Sequence, residues 1–341
     1  MKRSLILFVL LWNLLPLPVA ARADSGGPAP AAATSVAPAT PDAAEPELHF
    51  PGVSGLTAFH TYFSHNVENL SRRVDSFFAT NRAYEESSGT YLLVRGSVIY
   101  GRGGEIDYDG KVRAHLDLPN LSDRINLLIE SEQPDQPNED ALTTGNRTFP
   151  QNIDNQALAA SLQYILQAKE FWDVRLQPGI KLKWMPDPFV RLRFRWLNPL
   201  SVTWLSRVTF TPAWYGSRGW EARARYDLER GTGGEGLFRS STEAVWELND
   251  PHNLFWTEVL FFAHPFGSRA QVAYELGVNG EIEPKFEDTR YFSSIRYRRD
   301  IHHGWIFLEL KPQIEFLRDD DFKPNPSLAL TLEMLFGERY L

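Results

Sequence analysis

The sequence predicts an all-β chain, a closed antiparallel transmembrane β-barrel of about fourteen strands (twelve to sixteen fit), preceded by one amphipathic helix. Three observations predict it. From residue 89 to the last residue, apolar and polar side chains alternate with period two. The alternating segments are about ten residues long, which is what a tilted strand needs to cross the hydrocarbon of a bilayer. Tryptophans collect at the segment ends, and the chain opens on a leader-like pattern.

The elements follow in order. Residues 1–23 read as a signal peptide: Lys2 and Arg3 are basic, residues 5–19 are apolar, and Ala21-Arg22-Ala23 offers a small-x-small cleavage site. Such a leader implies secretion across a membrane. The chain has no cysteine, which excludes disulfides, iron–sulfur clusters and thiol chemistry. Residues 24–51 are rich in Ala, Pro, Ser and Thr. They hold too little apolar surface to offset their ordering entropy and read as a disordered periplasmic linker.

Residues 52–88 contain a helical pattern. Phe59, Phe63, Val67, Leu70, Val74 and Phe77 recur at steps of three and four, with Thr57 placed to cap and the pattern fading near Thr80. Glu68, Arg72, Arg73 and Asp75 fall largely off that stripe, and a stripe so apolar must be covered. Sealing the periplasmic mouth of the barrel is the favoured role. Insertion into the lumen as a plug, or docking on a periplasmic protein through Phe59, Phe63, Val67 and Leu70, are the alternatives.

Residues 89–341 form the barrel. In one segment Val190, Leu192, Phe194 and Trp196 alternate with Arg191, Arg193 and Arg195. In another Val174, Leu176, Ile180 and Leu182 oppose Arg175, Gln177, Lys181 and Lys183. Turn-forming clusters such as Gly101–Gly104, Pro186-Asp187-Pro188 and Asn249-Asp250-Pro251 separate the segments. An even count leaves both chain ends on the periplasmic side. The tenth segment, residues 254–264, is apolar on both faces, which keeps the count open. If the sheet closes, the charged faces meet in the lumen, the apolar faces meet lipid, and no unpaired edge remains. Trp184, Trp214, Trp220, Trp246 and Trp256 then mark the outer interface, and Trp172, Trp196, Trp204 and Trp305 the periplasmic one.

With its leader, its dyad repeats and a last strand bearing Met334, Phe336 and Tyr340, the chain resembles the broad class of bacterial outer-membrane β-barrels, porin-like in outline. The resemblance covers residues 89–341. It implies a place in the cell outer membrane, outer-membrane lipid as surroundings, and insertion by the barrel assembly machinery, which reads the last strand. That strand ends on Tyr340-Leu341, where the class usually ends on Phe or Trp.

Two lumen arcs carry the chemistry. Arg175, Lys181, Lys183, Arg191, Arg193, Arg195, Arg207, Arg223 and Arg225 form a basic arc, opposed there by Glu221, Asp227 and Glu229. Glu105, Asp107, Asp109, Asp117, Glu130 and Glu132 form an acidic arc. Lying apart across the lumen, the two would set a transverse field that sorts polar solutes. The expected function is a pore or channel for small polar or anionic solutes. The alternatives are a sealed barrel with a structural or export-scaffold role beside a periplasmic partner, and a lipid-acting outer-membrane enzyme. No nucleophile elbow is present and no nucleophile is fixed beside a base, so an enzyme is not expected. Neither is a cofactor or metal: Asp319-Asp320-Asp321 lacks the spacing of a calcium loop, and His302-His303 lacks further ligands. A net charge of −8 gives no reason to expect nucleic acid. The long outer loop 133–156 either folds into the lumen or lies over the mouth.

Overall fold

A computed structural model describes residues 67–78, 90–118, 124–132, 157–169, 171–232, 235–249, 254–282 and 285–337. The leader, the linker, Thr57, Phe59, Phe63 and the loop 133–156 lie outside the described residues.

The strands are β1 (Tyr91–Tyr100), β2 (Ile106–Asp117), β3 (Ile125–Glu132), β4 (Ala157–Lys169), β5 (Trp172–Leu182), β6 (Asp187–Pro199) and β7 (Trp204–Tyr215). There follow β8 (Gly219–Thr232), β9 (Gly236–Glu247), β10 (Leu254–Pro265), β11 (Ala270–Glu281), β12 (Glu287–His302), β13 (Ile306–Leu317) and β14 (Pro324–Gly337). Each pairs antiparallel with the next, and β14 returns to β1 in a register running from Tyr91↔Gly337 to Tyr100↔Leu328. The barrel is closed and has fourteen strands. β10, apolar on both faces, is one of them.

The period-two pattern does what it predicts. On β6, Val190, Phe194 and Trp196 are exposed on the outside, while Arg193 and Leu197 are buried toward the lumen. The same parity exposes Val98, Tyr108, Phe210, Ile295, Leu310, Leu328, Leu330 and Leu332 around the belt. A continuous apolar surface of this extent is stable in lipid and not in water, and closure leaves no unpaired backbone edge to face the hydrocarbon. The protein is therefore an outer-membrane β-barrel. The connections at the end where β1 begins and β14 finishes are short, as between β4 and β5 and between β12 and β13, and the longest, between β3 and β4, is at the other end. Short turns mark the periplasmic side of such a barrel.

Aromatic rims bound the belt. Trp172 and Trp196 stack at 5.7 Å on the periplasmic side, where Trp305 meets Phe336 and Arg230 lies over Trp204. Trp184, Trp214 and Trp220 are exposed at the outer end, with Trp246 half-buried beside them. Trp256 is buried instead: its ring covers Gly280 on the neighbouring strand and stacks on Phe286 at 5.1 Å. Phe292 covers Gly277 and Phe189 covers Gly179 in the same way inside the lumen. A Cβ at Gly277 would stand 2.1 Å from the Phe292 ring, so these glycines exist to admit a cross-strand aromatic where the sheet bends.

Within the belt, among the described residues, Glu258 breaks the inside-out rule. It lies midway along β10 on the lipid-facing side, in line with Trp256 and Leu260, yet is only 7% exposed. Two hydroxyls from β9 explain this: Ser240 Oγ donates to it at 3.0 Å, and Thr242 Oγ1 donates to its other oxygen. Small outward residues on β9 thus make room for the acid and satisfy it, as a polar group in hydrocarbon requires.

Two tests follow from this geometry. Phe194→Arg puts a cation in mid-bilayer at a cost of about 2–4 kcal/mol and should impair insertion. Arg193→Gln, on the lumen side, should insert normally; equal heat-modifiable migration of the two would refute the parity. Replacing Ser240 by Ala together with Thr242 by Val strands the Glu258 carboxyl and should lower unfolding stability by about 1–3 kcal/mol. Adding Glu258→Leu should recover most of the loss in a urea titration followed by Trp fluorescence. A triple variant no better than the double would refute the collar.

Candidate functional site

Residues 67–78, ahead of β1 in the chain, lie in the lumen. Residues 67–77 form helix α1, and the Phe78 N–H donates to Val74 O at 3.0 Å to close its last turn. Val67 packs on Leu197 of β6 and Leu205 of β7, with Phe171 beside them. At the other end Val74 and Phe78 share a cluster with Leu237, Phe261, Ala263 and Ala273, and Leu70 and Phe77 pack against it. Phe77 meets Phe307 of β13 edge-on at 5.8 Å. All of these wall residues have lumen parity and lie in the periplasmic half of their strands. The helix, about 16 Å long at 1.5 Å per residue, therefore bars the lumen between nearly opposite walls.

Two arginines lock it. Arg239 of β9 donates from Nη1 and Nη2 to both carboxylate oxygens of Asp75, at 2.9 and 2.7 Å, and from Nη2 to Ser71 Oγ at 2.8 Å. Its Nε donates to Glu229 Oε1 at 3.0 Å, and Glu229 in turn faces Arg207 at 4.0 Å. Arg296 of β12 donates to Phe78 O at 2.9 Å, capping the carbonyl end of the helix where a cation is favoured.

This corrects the sequence expectation in three ways. The helix lies within the barrel, which is the plug alternative rather than the favoured seal at the periplasmic mouth. Its covered face is Val67, Ser71, Val74, Asp75 and Phe78, so Asp75 is buried and Leu70 and Phe77 are only half-buried. Val67 and Leu70, two of the residues held available for a periplasmic protein, are instead in contact with the barrel wall.

The basic arc lies on the lumen face of β5 to β8 except for Lys183, which is in the turn after β5. Two carboxylates missed in the sequence share that face. Asp173 takes Arg175 at 3.0 Å and Arg193 at 3.3 Å, and Asp187 accepts from the Ser217 backbone and hydroxyl. Arg225 pairs with Asp227, and Arg223 with Glu221. Without Lys183, that face still carries eight cations against five carboxylates. Near the outer end an aromatic tightens it: Arg218 lies 3.9 Å over the Tyr215 ring, Lys181 lies 5.0 Å from it, and Arg191 donates to the Tyr215 hydroxyl.

The acidic arc is more dispersed than expected. Glu105 is exposed in the turn before β2, Asp107, Asp109 and Asp117 are half-buried on the β2 lumen face, and Glu130 pairs with Arg113 at 2.8 Å. Glu132 ends β3. With only β4 between β3 and β5, the two arcs stand about a quarter-turn apart rather than across the lumen. What faces the basic arc is a charge ladder that sequence inspection did not single out. Arg296 makes a bidentate pair with Glu309 at 2.9 and 3.0 Å and approaches Glu275 at 3.6 Å, which Lys311 also faces. Arg298 and Arg95 converge on Glu333, and Arg290 pairs with Glu315. The signal was present, since these side chains alternate on β11 to β14 and β1, but five cations among four carboxylates made no conspicuous excess of either sign.

No family model matches the chain, and no curated protein matches it by sequence. Among solved structures, a loop-deletion mutant of OmpT, an outer membrane protein of Vibrio cholerae, is similar at 8% identity and TM-score 0.43, over 72% of this chain and 98% of that one. The outer membrane protein OprD of Pseudomonas aeruginosa aligns at 9% identity and TM-score 0.42, over 75% and 97%. OprB of Pseudomonas putida aligns at 8% identity and TM-score 0.47, over 75% and 96%. At this distance nothing about solute or activity passes from them to this chain.

The helix lock is testable by proteolysis. Phe78 is fully buried, edge-on to Phe261 and under the Arg296 guanidinium at 4.9 Å. Phe78→Ala should weaken docking by about 3–5 kcal/mol, the cost of emptying a buried aromatic site. Trypsin should then cut after the exposed Arg72 and Arg73 in refolded protein, and should cut the parent chain there far more slowly. Equal cleavage of both would show that α1 is not held in the lumen.

Proposed function

We propose that the protein is an outer-membrane pore for small anionic solutes, closed at rest by its own helix α1. The observation that carries this is the wall from β5 to β8, where eight cations face the lumen against five carboxylates. A ring of fourteen strands is too wide for its own side chains to fill, and a cationic lining in such a lumen lowers the barrier to anions. The bar formed by α1 explains why such a pore would not leak. A second reading, a sealed barrel with a scaffold role, draws support from the ladder on β11 to β1, whose charges are engaged with one another in ion pairs.

Planar-bilayer conductance separates the two. The full chain should conduct weakly, and a chain lacking residues 24–81 should insert and conduct at least several-fold more, with a reversal potential showing anion preference. Replacing Arg191, Arg193 and Arg223 by Gln in that truncated barrel should move the preference toward cations. A truncated barrel that inserts but passes no current would establish the sealed reading.

A further inference from the structure

We infer that the Arg239 fork is a carboxylate-binding site of the lumen, which Asp75 of α1 occupies as an internal substitute for an aryl- or alkyl-carboxylate ligand. The inference rests on the reading of the barrel as a pore closed by α1, and names the ligand that would release the closure.

Arg239 is held for this task. Its Nε is fixed by Glu229, so the two terminal nitrogens point together at one planar acceptor and take both oxygens of Asp75. That two-point geometry is how a guanidinium selects carboxylate. The surroundings narrow the ligand further. The Phe261 ring centroid lies 5.5 Å from the guanidinium carbon, and Leu237, Ala263 and Ala273 join Phe261 in the apolar cluster that receives Val74 and Phe78. Asp75 and Phe78, one helical turn apart, thus present a carboxylate and an aromatic ring side by side to the wall. A small carboxylate with an apolar body offers the same two features.

Charge balance makes the exchange matter. Asp75, Arg239, Glu229 and Arg207 form a neutral chain of four groups, each almost wholly buried. Withdrawal of α1 alone removes one negative charge and takes the two-point acceptor away from Arg239. A carboxylate arriving at the fork restores neutrality as the helix departs. An apolar carboxylate therefore competes with Asp75 and favours the open pore, whereas chloride, which cannot span the fork, does not.

The test is calorimetric titration of refolded full-length protein with 3-phenylpropionate, which requires no conductance. Asp75→Ala, or Asp75→Asn should the first fold poorly by heat-modifiable migration, should bind the probe at least ten-fold more tightly than the parent chain. Adding Arg239→Lys, which keeps the charge but loses the fork, should reverse that gain. In bilayers the probe should raise the open probability of the parent channel while the same concentration of chloride does not. Equal affinity of the parent and Asp75 variants, equal affinity after Arg239→Lys, or equally tight binding of inorganic phosphate would each overturn the assignment. A non-conducting truncated barrel would instead overturn the pore reading, and the binding titration would still decide the site.

Discussion

Closure of the sheet is the constraint on which the rest of the structure depends. In hydrocarbon every strand must pair on both sides, so β14 has to return to β1, and fourteen strands enclose an interior wider than their own side chains can fill. The interior must then be occupied by water, by ions, or by another part of the chain. Here α1 occupies the periplasmic half, and charged side chains line the rest. The apolar lumen face of β10 is part of the same solution. Phe261 and Ala263 face inward without charge because Phe78 and Val74 cover them.

The charges obey a second requirement. Arg207, Arg296, Arg298, Glu229 and Glu275 are almost wholly buried although they belong to a lumen, and a buried charge is tolerated only with a counter-charge and hydrogen bonds. On β11 to β1 the wall meets that requirement by itself. Around β8 and β9 it does so only with help from the helix, since Arg239 has its two-point acceptor in Asp75. The helix is therefore an electrostatic component of the wall as well as a filler. Glu258 shows the same rule from the lipid side, where hydroxyls on the next strand take the place of a counter-ion.

Much of this was legible in the sequence. Period-two alternation places each side chain inside or outside, and the fourteen segments it marks are the fourteen strands, with β5 and β6 presenting the faces it assigns them. The apolar stripe ahead of the barrel announced a helix that needed cover, and the doubly apolar tenth segment announced a strand with cover to offer. Neither observation names the other. Which surface meets which is a three-dimensional fact, and each pattern taken alone is equally consistent with a partner outside the chain. The rotation of the buried face toward Ser71, Asp75 and Phe78 was hidden for the same reason. A polar residue on a helix reads as solvated until the arginine that receives it is seen.

The lumen charges mark a different limit. Parity gives the face of a residue but not its height or its angular neighbours, so Asp173, on the same face as Arg175, was passed over among the arginines that it pairs with. The angular placement of the acidic arc was recoverable, because the strand count alone sets β3 and β5 two positions apart in a ring of fourteen. Opposite the basic arc lies the β11 to β1 ladder, where the two signs nearly balance. The field across this lumen therefore runs from a larger excess of positive charge on one wall to a nearly neutral wall opposite, with the acidic residues to one side. Such an asymmetry attracts an anion to one wall and leaves the other indifferent to it, a different arrangement from a dipole spanning the pore.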